Sequence, residues 1–172
     1  SKNILKMNLA IGSDKIKKNL KKQNLITFMP RKLPMHSQKL IFLLRNKLPN
    51  NWKIKPLANI SDTEFYNYLK KSKLFLSFSY MEGLGAPPIE AAKEGNKVIG
   101  YTGEGGKDYW KKPIFTEIYS GDIRNFVRQV IKKVAEINSN NKLKQKQYRS
   151  LANNFSKENE IHHIKKFLNY IS

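Results

Sequence analysis

The stretch SYMEGLGAPPIEAA, residues 79–92, combines side chains and spacing that suit ligand chemistry. Gly83 and Gly85 lack a Cβ atom, so the backbone there can approach a ligand closely. A helix that begins after these glycines would direct amide groups and the positive end of its dipole at a phosphate. Glu82 and Glu90 flank this position, 90 − 82 = 8 residues apart. Carboxylates repel phosphate, so we expect both to bind hydroxyl groups.

The stretch therefore predicts a binding site for a phosphate group that has polyols on either side, as in a nucleotide sugar. Glu90 would bind the ribose and Glu82 the sugar. On spacing alone, a glycine-rich turn that carries two incidental surface glutamates is the favoured interpretation.

Short apolar runs alternate with helical patterns along the chain, which predicts an α/β fold with a Rossmann-like parallel sheet flanked by helices. We expect strands at 25–29, 52–56, 74–78, 97–101 and 114–119. We expect helices at 36–48, from 61 onwards, from 87 to about 95, at 123–137 and at 156–171. Ser61 and Glu64 form the pattern of a capping box, which fixes the start of the second helix.

The glycine-rich stretch follows the strand at 74–78, which is apolar on both faces and therefore belongs in the middle of the sheet. Ligands of doubly wound sheets bind beyond the carboxyl ends of the strands. The stretch thus lies where a ligand is expected.

Residues 75–91 resemble the signature of GT-B glycosyltransferases, specifically the large retaining family four, whose pattern is Glu-Gly-(Phe/Leu)-Gly-x-(Pro)-x-x-Glu-Ala after a buried strand. Residues 26–32 resemble the first strand of that family's C-terminal domain, and residues 98–108 resemble the strand and loop after the signature helix. The resemblance covers about residues 24–135. It implies a single half of a GT-B enzyme, the half that binds the donor nucleotide.

The resemblance also implies roles for individual residues. Glu90 would bind the ribose hydroxyl groups of the donor, and Glu82 would contact the donor sugar and is the catalytic candidate. The main-chain amides of Gly83, Leu84 and Gly85 would face the sugar and diphosphate. The basic side chains of Arg31 and Lys32 would neutralise the diphosphate, and the backbone at Leu57 and Ala58 would meet the base.

This sequence departs from the family pattern at two places. Arg31 and Lys32 are adjacent, whereas the family has an arginine and a lysine several residues apart, so Lys39 is an alternative for the second basic ligand. Asp108 stands where a glutamate is usual after the Gly-Gly pair.

The resemblance implies that the chain transfers a hexose from a nucleoside diphosphate sugar, such as a UDP sugar, to an acceptor glycan or lipid in polysaccharide biosynthesis. A chain of 172 residues suits one domain, here residues 24–172 after a basic segment or linker at 1–23. The N-terminal acceptor-binding domain of such enzymes would then be a missing partner, and the chain would be inactive alone. The terminal helix would pack towards that domain, so its apolar side chains would be left uncovered here.

The net charge is +20, and it is unevenly distributed. Residues 1–60 carry 14 − 1 = +13, residues 61–120 carry 8 − 8 = 0, and residues 121–172 carry 11 − 4 = +7. A solvated lysine-rich surface explains this charge, and attraction to phosphates or to an anionic membrane surface is the alternative. A non-catalytic basic module that binds nucleotide or nucleic acid is a second hypothesis, although no known nucleic-acid motif is present and we expect no nucleic acid partner.

Metal and cofactor sites have little support in the sequence. It has no cysteine, no Asp-x-Asp pair and no cluster with metal-ligand spacing, so we expect metal-independent transfer without a cofactor. His36 suits a surface or capping role, and His162 and His163 suit a solvated helix face. A glutamate in place of Gly-x-Gly-x-x-Gly argues against a dinucleotide site. Without an apolar run of about 20 residues, we expect a cytoplasmic protein that can lie peripherally on the inner face of the membrane.

Overall fold

The computed structural model describes residues 7–12, 21–139 and 145–171. Its five strands form one parallel sheet in the order β2-β1-β3-β4-β5, which confirms the predicted α/β, Rossmann-like class. The strands are β1 Leu25–Phe28, β2 Lys53–Pro56, β3 Leu74–Glu82, β4 Lys97–Glu104 and β5 Phe115–Glu117. The central strand β3 is buried along most of its length, as its apolar sequence predicts.

Six helices and one 3₁₀ turn lie within the described part of the chain. The helices are α1 Pro34–Leu44, α2 Asp62–Lys71, α3 Ala86–Lys93, α4 Ile123–Asn138, α5 Gln145–Asn154 and α6 Lys157–Ile171, and the 3₁₀ turn is Gly105–Asp108. The capping box at the start of α2 is confirmed: Ser61 accepts from the Glu64 amide, and the Glu64 carboxylate accepts from the Ser61 amide.

Apolar side chains cover the sheet on both faces. Helices α1 and α4 pack on one face around Leu40, Phe126 and Val130. Helices α2, α3 and α5 cover the other face around Leu69, Ile89 and Leu151. Because both faces are covered, the carboxyl edge of the sheet is the side on which polar groups can gather.

Some element bounds differ from those expected. Helix α1 ends at Leu44 rather than at residue 48, and β3 continues to Glu82. Helix α5 was not expected, because its sequence is mostly polar, yet Leu151, Ala152 and the following Phe155 are buried. Part of the polar stretch at 138–147 lies outside the described residues.

The segment before β1 is held against the domain where it is described. Ile11 is buried, its amide donates to the Phe155 carbonyl at 3.1 Å, and the Lys93 ammonium donates to the Ile11 carbonyl at 2.6 Å. Residues 7–12 therefore pack on α3 and on the turn between α5 and α6, whereas residues 1–6 and 13–20 of the expected basic segment lie outside the described part.

Helix α6 has no buried residue, and it packs mainly on α5. Its apolar side chains, among them Ile164 and Leu168, are 41–61% exposed. Such an exposed apolar face is typical of a surface that another partner covers. In residues 7–12, 21–139 and 145–171, no helix has the length and hydropathy that crossing a bilayer would require.

Lys22 links the ends of two helices that pack on the same side of the sheet. Its ammonium donates to the Leu69 carbonyl of α2 at 3.0 Å and to the Glu94 carbonyl after α3. Burial lowers the pKa of Lys22 from 10.5 to about 8, and the Glu94 charge opposes this shift only in part. Below about pH 8 the folded protein therefore holds a charged, desolvated ammonium.

This lowered pKa predicts a protein that becomes more stable as pH rises from about 8 towards 10.5, because the unfolded chain then binds more protons than the folded one. Relative to Lys22→Met, the free energy of unfolding of the unmodified protein should rise by about 2 kcal/mol between about pH 7.5 and 9.5. Denaturant unfolding at several pH values measures this difference.

The neighbouring Lys21→Met provides the control, since Lys21 is exposed. Its stability should change with pH in parallel with that of the unmodified protein. Equal pH dependence for Lys22→Met and the unmodified protein would show that Lys22 titrates as a solvated lysine.

Candidate functional site

A cleft of about 530 Å³ opens beside the carboxyl ends of β1 and β2, between α2 and the start of α3. It brings together Arg31, Leu57, Ala58 and Glu90, all of which the sequence predicts as substrate-binding residues. Arg31 follows β1, and Leu57 and Ala58 follow β2, so the parallel sheet places both turns at one edge. Glu90 reaches the same cleft from the second turn of α3.

Glu90 is held by a tyrosine of α2. The Tyr66 hydroxyl donates to Glu90 Oε1 at 2.6 Å, and both side chains line the cleft. Burial raises the pKa of the Glu90 carboxyl group, and the hydrogen bond from Tyr66 partly opposes this rise. Burial and the neighbouring carboxylate also raise the pKa of Tyr66, so its hydroxyl remains a donor. Glu90 Oε1 is thus oriented in a partly desolvated wall, where hydrogen bonds to a ligand are strong.

Among the described residues, Arg31 is the cation that lines this cleft. Its side chain is exposed, and a guanidinium group suits phosphate because it can donate two parallel hydrogen bonds. The start of α3 offers fewer donors than its position suggests, because Pro87 and Pro88 occupy the first turn and have no N–H. Arg31 therefore adds positive charge beside a helix start that lacks two amide donors.

Glu82 and Lys32 form an ion pair beside the cleft. Lys32 Nζ lies 2.6 Å from Glu82 Oε1, and the Glu82 side chain is only 15% exposed. The two residues line a small pocket that shares Met29 and Pro87 with the cleft. The structure thus pairs Lys32 with the predicted sugar-binding glutamate, whereas the adjacent Arg31 lines the cleft.

The turn between Glu82 and α3 is braced from the other side by β4 and the residues after it. The Tyr109 hydroxyl donates to the Gly85 carbonyl at 2.9 Å, and burial raises the pKa of Tyr109 to about 12, which keeps that donor protonated. A Cβ atom on Gly105 would lie 1.3 Å from the Gly83 carbonyl oxygen. Only glycine permits this approach, so the two turns are packed backbone against backbone.

Other candidates lie outside the cleft. Leu84 and Asp108 line a separate groove near α5, and Lys39 is on the exposed surface of α1. His36 lies within α1, where Nδ1 is 3.2 Å from the Tyr101 hydroxyl. His163 accepts from the Asn8 amide at 3.2 Å, so it packs against the N-terminal segment rather than facing solvent alone.

The structure adds residues that the sequence reasoning did not select. Asn59, Asp62 and Phe65 line the cleft together with Tyr66. The capping box located the start of α2, but it gave no signal for which face of the helix would meet Glu90. Gly12 lies close to the Glu90 side chain, since a Cβ atom on Gly12 would be 3.3 Å from Glu90 Cγ.

Among the residues that the structure describes, no group of three or more histidine or acidic side chains could hold a metal ion. Comparisons with protein-family models, with curated proteins and with solved structures found no match to this chain. The geometry of the cleft is therefore the basis for a functional proposal.

The contact between Gly105 and Gly83 predicts a large effect of a single methyl group. Gly105→Ala should lower the free energy of unfolding by about 3 kcal/mol, because the new Cβ must push two turns apart. Thermal or denaturant unfolding measures the loss.

Gly83→Ala is the matched control on the other side of the same contact. A Cβ atom at Gly83 meets nothing within 4 Å, so this variant should lose less than about 1 kcal/mol. Similar losses in the two variants would contradict the close packing of these turns.

Proposed function

We propose that the chain is the donor-binding domain of a glycosyltransferase, which moves a hexose from a nucleoside diphosphate sugar to an acceptor glycan or lipid. The observation that carries this proposal is the cleft that holds Arg31, Leu57, Ala58 and Glu90 together at the carboxyl edge of the sheet. A cation, a carboxylate and exposed main chain are the groups that a diphosphate, a ribose and a base require.

Each part of the donor has a partner in this arrangement. Glu90 accepts hydrogen bonds from the ribose hydroxyl groups, and its partial burial strengthens them. Arg31 binds the diphosphate. The backbone at Leu57 and Ala58 meets the base near Phe65, whose ring lines the same cleft.

The ion pair assigns separate tasks to Glu82 and Lys32. Glu82 contacts the donor sugar, and Lys32 balances its negative charge so that a carboxylate can lie beside a diphosphate. The positive charge of Arg31 compensates the charge of the leaving diphosphate, so we propose that transfer needs no metal ion.

The acceptor-binding half of the enzyme is the partner that this proposal requires. The exposed apolar face of α6 supports such a partner, because those side chains would be covered by a second domain. The chain by itself should bind nucleotide without transferring sugar. The high positive charge is compatible with peripheral attachment to an anionic membrane.

The two glutamates should affect different ligands. Glu90→Ala should weaken binding of UDP or GDP by roughly 10- to 150-fold, because charged hydrogen bonds to the ribose are lost. Glu82→Ala should leave the diphosphate within about threefold and weaken only the intact nucleotide sugar. Titration calorimetry with both ligands, in the presence and absence of EDTA, measures these constants.

Glu158→Ala, on the exposed start of α6, is the control and should bind both ligands like the unmodified protein. Equal losses of diphosphate binding in Glu82→Ala and Glu90→Ala would refute the division of roles. Binding of duplex DNA without any nucleotide binding would instead favour the basic-module hypothesis.

Tyr66→Phe should change the pH dependence of nucleotide binding. The hydrogen bond from Tyr66 lowers the Glu90 pKa, so its removal raises that already elevated pKa further. Since the ionised carboxylate binds the ribose, affinity falls as pH falls through the Glu90 pKa, and the fall should begin at a higher pH in Tyr66→Phe. Calorimetric titrations across the acidic range measure this shift.

Tyr68→Phe changes a tyrosine on the same helix that does not line the cleft, and its pH profile should match that of the unmodified protein. A Tyr66→Phe profile that also matched it would show that Glu90 does not carry the pH dependence.

A further inference from the structure

A second cavity lies at the carboxyl ends of β3, β4 and β5. Its volume is about 210 Å³, and its lining includes Ser79, Tyr80, Glu104, Glu117 and Tyr119. In the strand order of the sheet, it lies on the β4 and β5 side of β3, whereas the nucleotide cleft lies on the β1 and β2 side. None of its lining residues belongs to the cleft.

The lining combines exposed aromatic rings with hydrogen-bond acceptors. Tyr80 and Tyr119 are 57% and 84% exposed, so both rings are accessible to a ligand. Glu104, Glu117 and the Ser79 hydroxyl supply oxygen atoms around these rings. A sugar ring has the complementary surface, because its C–H faces are apolar and its hydroxyl groups donate from the rim.

The local charge narrows the class of sugar. Two carboxylates, Glu104 and Glu117, line the cavity with one ammonium group, Lys107, which is paired with Glu104 at 2.7 Å. Because that ammonium group is paired with Glu104, the described lining holds no other cation for a phosphate or an acidic sugar. A neutral polyol is the ligand that these groups suit.

The size of the cavity fits one ring. An apolar cavity of roughly 150 Å³ can hold benzene, so 210 Å³ leaves room for a six-membered ring with its substituents. The exposure of Tyr119 leaves the cavity open at one side, where the rest of a longer glycan could extend.

The cavity adjoins the residue that is proposed to contact the donor sugar. Ser79 lines both this cavity and the small pocket of Lys32 and Glu82. Glu104 is the neighbour of Glu82 in the register between β3 and β4. A ring bound here would therefore lie next to the donor sugar, on the side away from the nucleotide.

We propose that this cavity binds a neutral pyranose ring of the acceptor glycan, an inference that rests on the proposed function. The acceptor would thus be held in part by the donor-binding domain itself. Tyr119 supplies the stacking surface, and Glu117 accepts from a ring hydroxyl group.

The test uses methyl glucoside, methyl galactoside and methyl mannoside, each titrated into the full chain and followed by saturation-transfer NMR. At least one should bind with a dissociation constant in the millimolar range. Tyr119→Ala should weaken that binding by about fivefold or more, and Glu117→Gln should also weaken it. Tyr170→Ala and Glu158→Gln change exposed residues of α6 and should leave it unchanged.

Repeating the glycoside titration with a nucleotide or a nucleotide sugar already bound distinguishes an acceptor site from a site for the donor sugar. Binding of the glycoside should persist when UDP-glucose or GDP-mannose occupies the cleft. Loss with the nucleotide sugar, but not with UDP or GDP, would place the donor sugar in the cavity and overturn the proposal. Binding of no glycoside, or equal weakening by Tyr119→Ala and Tyr170→Ala, would also overturn it.

The failures of the two proposals are distinguishable. A chain that binds UDP or GDP but no glycoside keeps its proposed function and lacks the sugar site. A chain that binds no nucleoside diphosphate, but binds a glycoside that Tyr119→Ala weakens, has a sugar site and lacks the proposed function. That result would overturn the assignment of the sugar as an acceptor.

Discussion

The parallel pairing of β3 with β4 is the constraint on which both candidate sites depend. The two strands stay in contact from Leu74 opposite Lys97 to Glu82 opposite Glu104, with a register shift near the carboxyl end. The contact is closest where only glycine fits: a Cβ atom on Gly100 would lie 2.0 Å from the Ser77 carbonyl oxygen. Close main-chain contacts, together with the hydrogen bond from Tyr109 to the Gly85 carbonyl, therefore fix Glu82, the turn before α3 and the 3₁₀ turn relative to one another.

This rigid centre separates two surfaces at the carboxyl edge of the sheet. Arg31 and Lys32 follow β1 on one side, and Glu104 and Glu117 end β4 and β5 on the other. Among the described residues, carboxylates line both surfaces: Asp62 and Glu90 lie beside Arg31 in the cleft, and Glu104 and Glu117 lie beside Lys107 in the second cavity. Glu82 lies between the two and is neutralised by Lys32.

Much of the fold follows from local patterns. The capping box at Ser61 predicts the start of α2, and the apolar run of β3 predicts a buried strand. The parallel sheet then brings Arg31 and Glu90 to the same edge. The ion pair of Lys32 with Glu82 was not predictable, because it depends on the direction in which two turns leave the sheet. The contact of Tyr66 with Glu90 was not predictable for a similar reason, because it arises from the packing of α2 on α3. The roles of these residues in binding remain predictions.

The packing of residues 7–12 extends the domain beyond the expected boundary at residue 24. A protein shortened to begin at residue 24, the boundary that composition suggests, would lose the Ile11 carbonyl that accepts from Lys93 and the backbone of Gly12 that covers Glu90. Lys93 lies less than one helical turn beyond Glu90 on α3, so solvent would reach the Glu90 side chain from behind. The leading segment thus packs against the far side of Glu90, and expression trials that trim it would leave that side of the residue uncovered.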